Sequence, residues 1–393
     1  MQRRWPAILF LWLIGVLAAA QLAKFSTIAP LLRDRFGLLL PETGLLISLL
    51  EVGGGLFGFV AGLALGWITC RRSLIAGMVI LASTSLAEAL ATGPTMLFAA
   101  RAAEGVGYLL VVIAAPTAIA AVADDRARSR ALALWSSFVP VGIAMGSAIT
   151  GFGVTTFGVQ GILLLWAGLL ALAIVPVLRW PVVDGDSRRI VLPAPAAWFS
   201  TFTFGIYTLF LCALTMLLPT FLIGERGAAV NEASLVASLA SLCALPASGI
   251  AILLIRQGVL SARRLLTIAV PALTATALLV PLAFGRAADM NTTSVVVVIA
   301  VLLSGLVSPL MFARLPILAG AESPHDPRIA TANGLLTQFG AGGALIGPPL
   351  GGLIAEEWGW NALGITIAIL ALFMLAGVAF AEWTGAKSRP GRT

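Results

Sequence analysis

Charge is scarce in this chain. Only 10% of its 393 residues are Asp, Glu, Lys or Arg, against about 25% in a soluble domain. Lysine occurs twice, at Lys24 and Lys387, histidine once, at His325, and tyrosine twice, at Tyr108 and Tyr207. The three cysteines, Cys70, Cys212 and Cys243, lie far apart on apolar segments. Each scarcity excludes something. One histidine and three scattered cysteines give neither metal-ligand spacing nor a disulfide framework, so no metal site is expected. No P-loop or other nucleotide motif is present, so neither a cofactor, an ATP-driven pump nor an enzyme is expected. The net charge of +7 and pI near 10.3 could suggest nucleic acid, but the placement of the charges argues otherwise.

Apolar residues are what is there: 60% of the chain, with a mean hydropathy of +1.03. A soluble core cannot absorb that share, so the chain reads as a polytopic membrane protein embedded in lipid. Stretches of about 20 residues, enough to cross ~30 Å as helix, recur near 6–30, 42–67, 73–92, 95–122, 132–157 and 160–180. A second set follows near 197–222, 233–255, 264–284, 293–318, 330–354 and 359–382. Met1 to Ala20 has the basic start of a signal peptide, but its apolar run continues too far and is kept as the first span. The expected fold is all-α, with twelve transmembrane helices in two pseudo-symmetric six-helix bundles. Residues 1–182 form the first bundle, 183–196 a cytoplasmic linker and 197–393 the second bundle.

Basic residues set the orientation. With the N-terminus inside, the inner segments hold 17 of the 24 Lys and Arg residues and the outer loops hold four: Arg33, Arg35, Arg226 and Arg286. Lys24, Arg101 and Arg314 fall inside spans. Both termini are expected in the cytoplasm of a bacterium, with the chain in its inner membrane. The basic pI reflects this asymmetry and calls for no nucleic acid.

The halves resemble one another. Pro6 and Pro30 answer to Pro195 and Pro219, Arg71-Arg72 to Arg263-Arg264, and Pro116, Arg128, Gly142 and Gly151 to Pro316, Arg328, Gly342 and Gly351. The offset grows slowly from 189 to 200 residues, as expected of a duplicated six-helix unit. Parallel repeats place a substrate site between them near the midplane.

Several motifs carry a family resemblance. "RAAEGVG", Arg101 to Gly107, looks like a fourth-helix signature. "GLALGWITCRR", Gly62 to Arg72, looks like the loop G-x-x-x-D-R-x-G-R-R, with Gly66 in place of the Asp and Thr69 in place of the Gly. "VPVGIAMGSAITG" has the glycine spacing of closely packed helices. On these residues the chain resembles the major facilitator superfamily, and less specifically its small-anion, cyanate-transporter-like branch. The Gly66 departure puts the family's cytoplasmic charge latch in doubt. "GPPLGG" lies in the eleventh span, and the fifth lacks the Gly-Pro pair of the family's antiporters, which favours uptake over drug efflux.

Six charges fall inside spans: Lys24, Glu51, Glu88, Arg101, Glu104 and Arg314. Lys24 lies about 9 Å below the outer end of its helix, with Glu51, Arg101 and Glu104 at comparable depth. Lipid exposure of such a set is prohibitive, so the residues face inward, toward one another or toward substrate. The substrate-binding candidates are Gln21, Lys24, Arg101, Tyr108, Tyr207, Arg314, Asn333 and Gln338, and the proton-coupling candidates are Glu51 and Glu104. The plainer readings stay open. Lys24 is neutralised by Glu51, Arg101 pairs with Glu104 or Glu88, Arg314 snorkels to the inner interface, and Asn333 and Gln338 make interhelical hydrogen bonds. Trp5, Trp180, Trp358 and Trp383 read as interfacial anchors. The expected function is proton-coupled uptake of a small organic anion by a monomeric secondary transporter. The alternatives are efflux of a drug or metabolite, and uptake of a larger carboxylate or a metal chelate.

Overall fold

The computed structural model describes residues 4–64, 69–123, 131–132, 134–179, 191–255, 260–285, 287–322 and 326–387. Gly66, Arg126, Arg128, Arg130, Trp180, Arg188, Arg189, Arg256, Arg286, His325 and most of the expected linker lie outside these residues. The described residues form helices and no strand.

Ten helical segments are long and apolar enough to cross a membrane. One of them, Phe138–Leu178, holds two spans. As straight helix it would reach ~60 Å, twice the hydrocarbon thickness. Gly158, at φ 67°, turns the chain, and Trp166 Nε1 then donates back to Thr150 Oγ1 at 2.9 Å across the two arms. These arms are the fifth and sixth spans, and Pro327–Trp358, 32 residues long, is the eleventh. The count is therefore twelve.

The second span is not one uninterrupted helix. It runs Leu40–Ser48, tightens to a 3₁₀ turn at Leu49–Glu51, and continues as Val52–Ala64. The seventh span begins at Pro195, just inside the expected linker, and the twelfth continues to Lys387, past its expected end at 382. Trp5, Trp358 and Trp383 are exposed near helix ends, as anchors would be.

The duplication is visible in local chemistry. Thr69 caps the third span by accepting from the Arg72 amide, and Ser261 caps the ninth by accepting from the Arg264 amide, both at 3.3 Å. Each cap satisfies a helix-start amide that would otherwise lack a partner. The halves meet along two related seams, second span on eleventh and fifth on eighth. Ser48 donates to the Leu345 carbonyl at 2.7 Å across the first seam, and Ser238 donates to the Ala144 carbonyl at 3.0 Å across the second. Donors and acceptors are separated by 190 and 201 residues, the same drift that the sequence repeat shows.

Small residues make these seams possible. A methyl on Gly55 would stand 3.2 Å from the Gly342 Cα, and one on Gly54 would stand 2.7 Å from the Ala341 methyl. Within the first half, a methyl on Gly142 would meet that of Ala19 at 2.6 Å, so the fifth-span glycines do seat against the first span. At the end remote from the chain termini, Ser26 donates to the Met216 carbonyl at 2.6 Å and the Leu40 amide donates to Glu356 Oε2 at 3.0 Å. The halves are closed together there.

Candidate functional site

The fourth span begins at Pro94, whose missing amide costs nothing at a helix start. From that register Arg101, Glu104 and Tyr108 share one face. Gly105 lies on the same face. A methyl there would stand 2.8 Å from the Leu50 carbonyl, so glycine lets the fourth span touch the second at its 3₁₀ turn.

Lys24 enters this contact from the first span and is fully buried. Its ammonium donates to Ser85 Oγ at 2.9 Å, Glu88 Oε2 at 2.5 Å and Glu104 Oε1 at 3.0 Å. An ammonium has three donors, so none is left for a ligand. Arg101, also fully buried, donates to Glu104 Oε2 at 2.5 Å and stacks over Phe25 with 4.5 Å to the ring centroid. The four charges sum to zero. The expected pairing of Lys24 with Glu51 is not made. Glu88 and Glu104 stand nearer, on helices whose faces point at the first span.

Arg101 has a second task. Its Nε donates to the Leu46 carbonyl at 3.2 Å and its Nη2 to the Ile47 carbonyl at 2.9 Å. A 3₁₀ turn redirects the hydrogen bonds of the residues around it. Arg101 takes up the carbonyls just before the turn and so pins the break that carries Glu51.

Glu51 differs from the quartet. Among the described residues it makes no ion pair and no hydrogen bond, and it is only partly buried. Its Oε2 would lie 3.5 Å from a methyl on Gly54, the glycine that faces Ala341 of the other half. The acid therefore stands at the seam between the halves. Arg101, Tyr108 and Cys212 all lie within its electrostatic reach.

The remaining candidates disperse. Gln21 is fully buried. Its Nε2 donates to the Leu17 carbonyl at 3.1 Å, while its Oε1 has no hydrogen-bond partner. Tyr108 and Tyr207 are buried, on the fourth and seventh spans, and Tyr207 packs on Phe204 and Phe210. Gln338 Oε1 accepts from the Phe59 amide at 3.1 Å across the seam, so it makes the interhelical bond. Asn333 is exposed, with no side-chain partner among the described residues.

Arg314 does not snorkel free. Its Nε donates to Glu382 Oε1 at 2.8 Å, its Nη2 to Glu382 Oε2, and its Nη1 to the Leu260 carbonyl at 2.7 Å. Sequence reasoning missed Glu382 because it ended the twelfth span there. A cavity of about 10 Å³ beside the pair is lined by Ser200, Leu265 and Met311, room for about one water.

Similarity to known proteins bears on this architecture. Over 254 residues the chain is 25% identical to the hexuronate transporter of Bacillus subtilis (strain 168), covering 59% of each chain. Over 199 residues it is 28% identical to the lincomycin resistance protein of Streptomyces lincolnensis, covering 50% of this chain and 41% of that one. The chain thus spans less than two thirds of either relative. Its fold superimposes with a TM-score of 0.79 and 15% identity on a bacterial homolog to the human lysosomal transporter Spinster in an inward-facing and occupied conformation, covering 100% of both chains. Residues 11–313 match the Major Facilitator Superfamily, and this multi-pass membrane chain belongs to that superfamily.

Proposed function

We propose that the protein is a proton-coupled secondary transporter of a small organic molecule, with Glu51 as the proton carrier. The moving units are residues 1–182 and 197–393, which rock about the two seams and open a midplane site to each side in turn. One observation carries the reading. Among the described residues Glu51 is the charged side chain within the spans that has no ion pair and no hydrogen bond. An intramembrane carboxylate left free at a domain seam is costly unless it exchanges a proton or a ligand. Burial of both Glu104 oxygens against Lys24 and Arg101 supports a structural role for that acid instead. The excess of basic residues on the terminal side supports cytoplasmic termini in a bacterial inner membrane.

A second reading, uptake of a small organic anion with protons, is favoured by the hexuronate-transporter relative. It asks a cation to face the substrate, yet Lys24 has no donor to spare. The resistance-protein relative favours export in exchange for protons. Reconstituted vesicles test the shared core of both readings. Glu51→Gln is expected to abolish accumulation driven by a pH gradient while leaving substrate counterflow in place. Undiminished gradient-driven accumulation in Glu51→Gln would refute the assignment.

A further inference from the structure

Among the described residues, three hydrogen bonds cross the seam between the second and eleventh spans. Each runs from a donor on the second span to an acceptor on the eleventh. At the end remote from the chain termini the Leu40 amide donates to Glu356 Oε2 at 3.0 Å. Toward the terminal end the Phe59 amide donates to Gln338 Oε1 at 3.1 Å. Between them Ser48 Oγ donates to the Leu345 carbonyl at 2.7 Å. Glu356 and Gln338 are 18 residues apart. That is ~27 Å of helix, close to the ~30 Å hydrocarbon thickness.

The three bonds differ in what their breaking leaves behind. The Leu345 carbonyl would ordinarily accept from the amide four residues on, but that residue is Pro349, which has none. As long as the helix persists, this carbonyl lacks a helical donor, and Ser48 supplies the missing one. Breaking the middle bond strips the carbonyl of its donor inside the membrane. The end bonds can open without such a loss. Leu40 is the first residue of its helix, so its amide has no intrahelical acceptor. The neighbouring Glu42 carboxylate is taken up by the Leu39 amide at 2.9 Å. Water can take the place of Glu356 on Leu40 once the halves part. Phe59 lies inside the helix Val52–Ala64, where the Gly55 carbonyl stands four residues back as an alternative acceptor. Gln338 reaches it because a glycine precedes it: a methyl on Gly58 would stand 3.2 Å from the Gln338 Cα.

We propose that Ser48 with Leu345 is the fulcrum on which the halves rock, and that Glu356 with Leu40 and Gln338 with Phe59 are the releasable latches of its two ends. Glu356 and Gln338 are then positioning residues that act in opposite directions. This rests on the rocking of the two halves and adds the residues that set its balance. The latches also differ in chemistry. Glu356, 3.9 Å from Arg33, closes the remote end with a charge. Gln338 brings none to the terminal end, in a chain that carries Gly66 where the related loop has Asp.

Double electron–electron resonance reads both ends in the full-length protein in lipid nanodiscs. Spin labels go on Asp34→Cys with Glu225→Cys at the remote end, and on Arg72→Cys with Arg264→Cys at the terminal end. All four positions are exposed. Cys70, Cys212 and Cys243 are replaced by alanine. Glu356→Ala should raise the open population at the remote end by about two- to tenfold, the worth of one hydrogen bond, and Gln338→Leu should do so at the terminal end. Glu356→Gln keeps an acceptor oxygen and should restore the original distribution. Gln338→Asn keeps the amide, shortens its reach and should act as Gln338→Leu does. Ser48→Ala should widen both distributions without favouring either end. Shifts toward the same end in Glu356→Ala and Gln338→Leu, no shift in either, or a Glu356→Gln that behaves as Glu356→Ala would overturn the proposal. If the protein with intact latches shows two distances at each end and the variants leave them unchanged, the latches fail and the rocking stands. A single fixed distance at each end in every variant removes the rocking and the latches together.

Discussion

The two halves share one architecture and handle buried charge differently. The first half gathers Lys24, Glu88, Arg101 and Glu104 into a quartet with no solvent contact, on the first, third and fourth spans. The second half keeps one pair, Arg314 with Glu382, between the tenth and twelfth spans, with the guanidinium side chain still 11% exposed. The residue 200 places before Arg314 is Ala114, so the pair has no counterpart in the repeat. Backbone and seam chemistry were kept through the duplication, as Thr69 with Ser261 and Ser48 with Ser238 show. Charge was placed afresh in each half. In both halves it is closed on itself, which leaves Glu51 as the exception.

The largest expected effect breaks the quartet. Glu104→Ala strips Arg101 of its carboxylate and Lys24 of one of two. A guanidinium cannot shed its proton, so Arg101 stays charged in the interior. Removing one partner of a buried pair typically costs about 3–5 kcal/mol, and the upper part of that range is expected here. Lys24→Met should cost less, because the orphaned Glu88 can take up a proton while Glu104 keeps Arg101. Thermal unfolding in detergent would rank the two. A Lys24→Met variant less stable than Glu104→Ala would show that the ammonium, and not the carboxylate between two cations, holds the quartet together.

A smaller effect is expected in the second half. Glu382→Ala leaves Arg314 bonded to the Leu260 carbonyl, with its side chain 11% exposed rather than sealed. The cost should fall to about 2–3 kcal/mol, below the usual range for a fully buried pair. Equal losses in Glu104→Ala and Glu382→Ala, measured under the same conditions, would erase the contrast between a sealed quartet and a half-open pair.

How much of this was legible beforehand follows from what hydropathy and charge encode. Span count, the two-half organisation and the presence of buried charge are properties of residues along one helix, and the sequence carries them. Pairing is a property of azimuth across helices. Lys24 and Glu51 share a depth, yet Lys24 faces the third and fourth spans while Glu51 faces the second half. Nothing in "SLLEVGGG" marks the 3₁₀ turn that sets this, because it depends on Arg101 capturing carbonyls 46 and 47 from another helix. Glu382 was hidden by a boundary drawn where hydropathy falls, although the helix runs on to Lys387.

The smallest expected effect concerns the exception itself. Glu51→Gln keeps the shape of the side chain and removes a charge that no described residue pairs or hydrogen-bonds. No partner is orphaned, so the usual source of a large loss is missing. The melting temperature should hold or rise, with a stability change under about 1 kcal/mol. That outcome, beside a loss of several kcal/mol in Glu104→Ala, separates a carboxylate that holds the fold from one that the fold holds in readiness. If Glu51→Gln instead unfolds as readily as Glu104→Ala, Glu51 belongs with the quartet through Arg101, and the free charge at the seam is no longer an argument for transport.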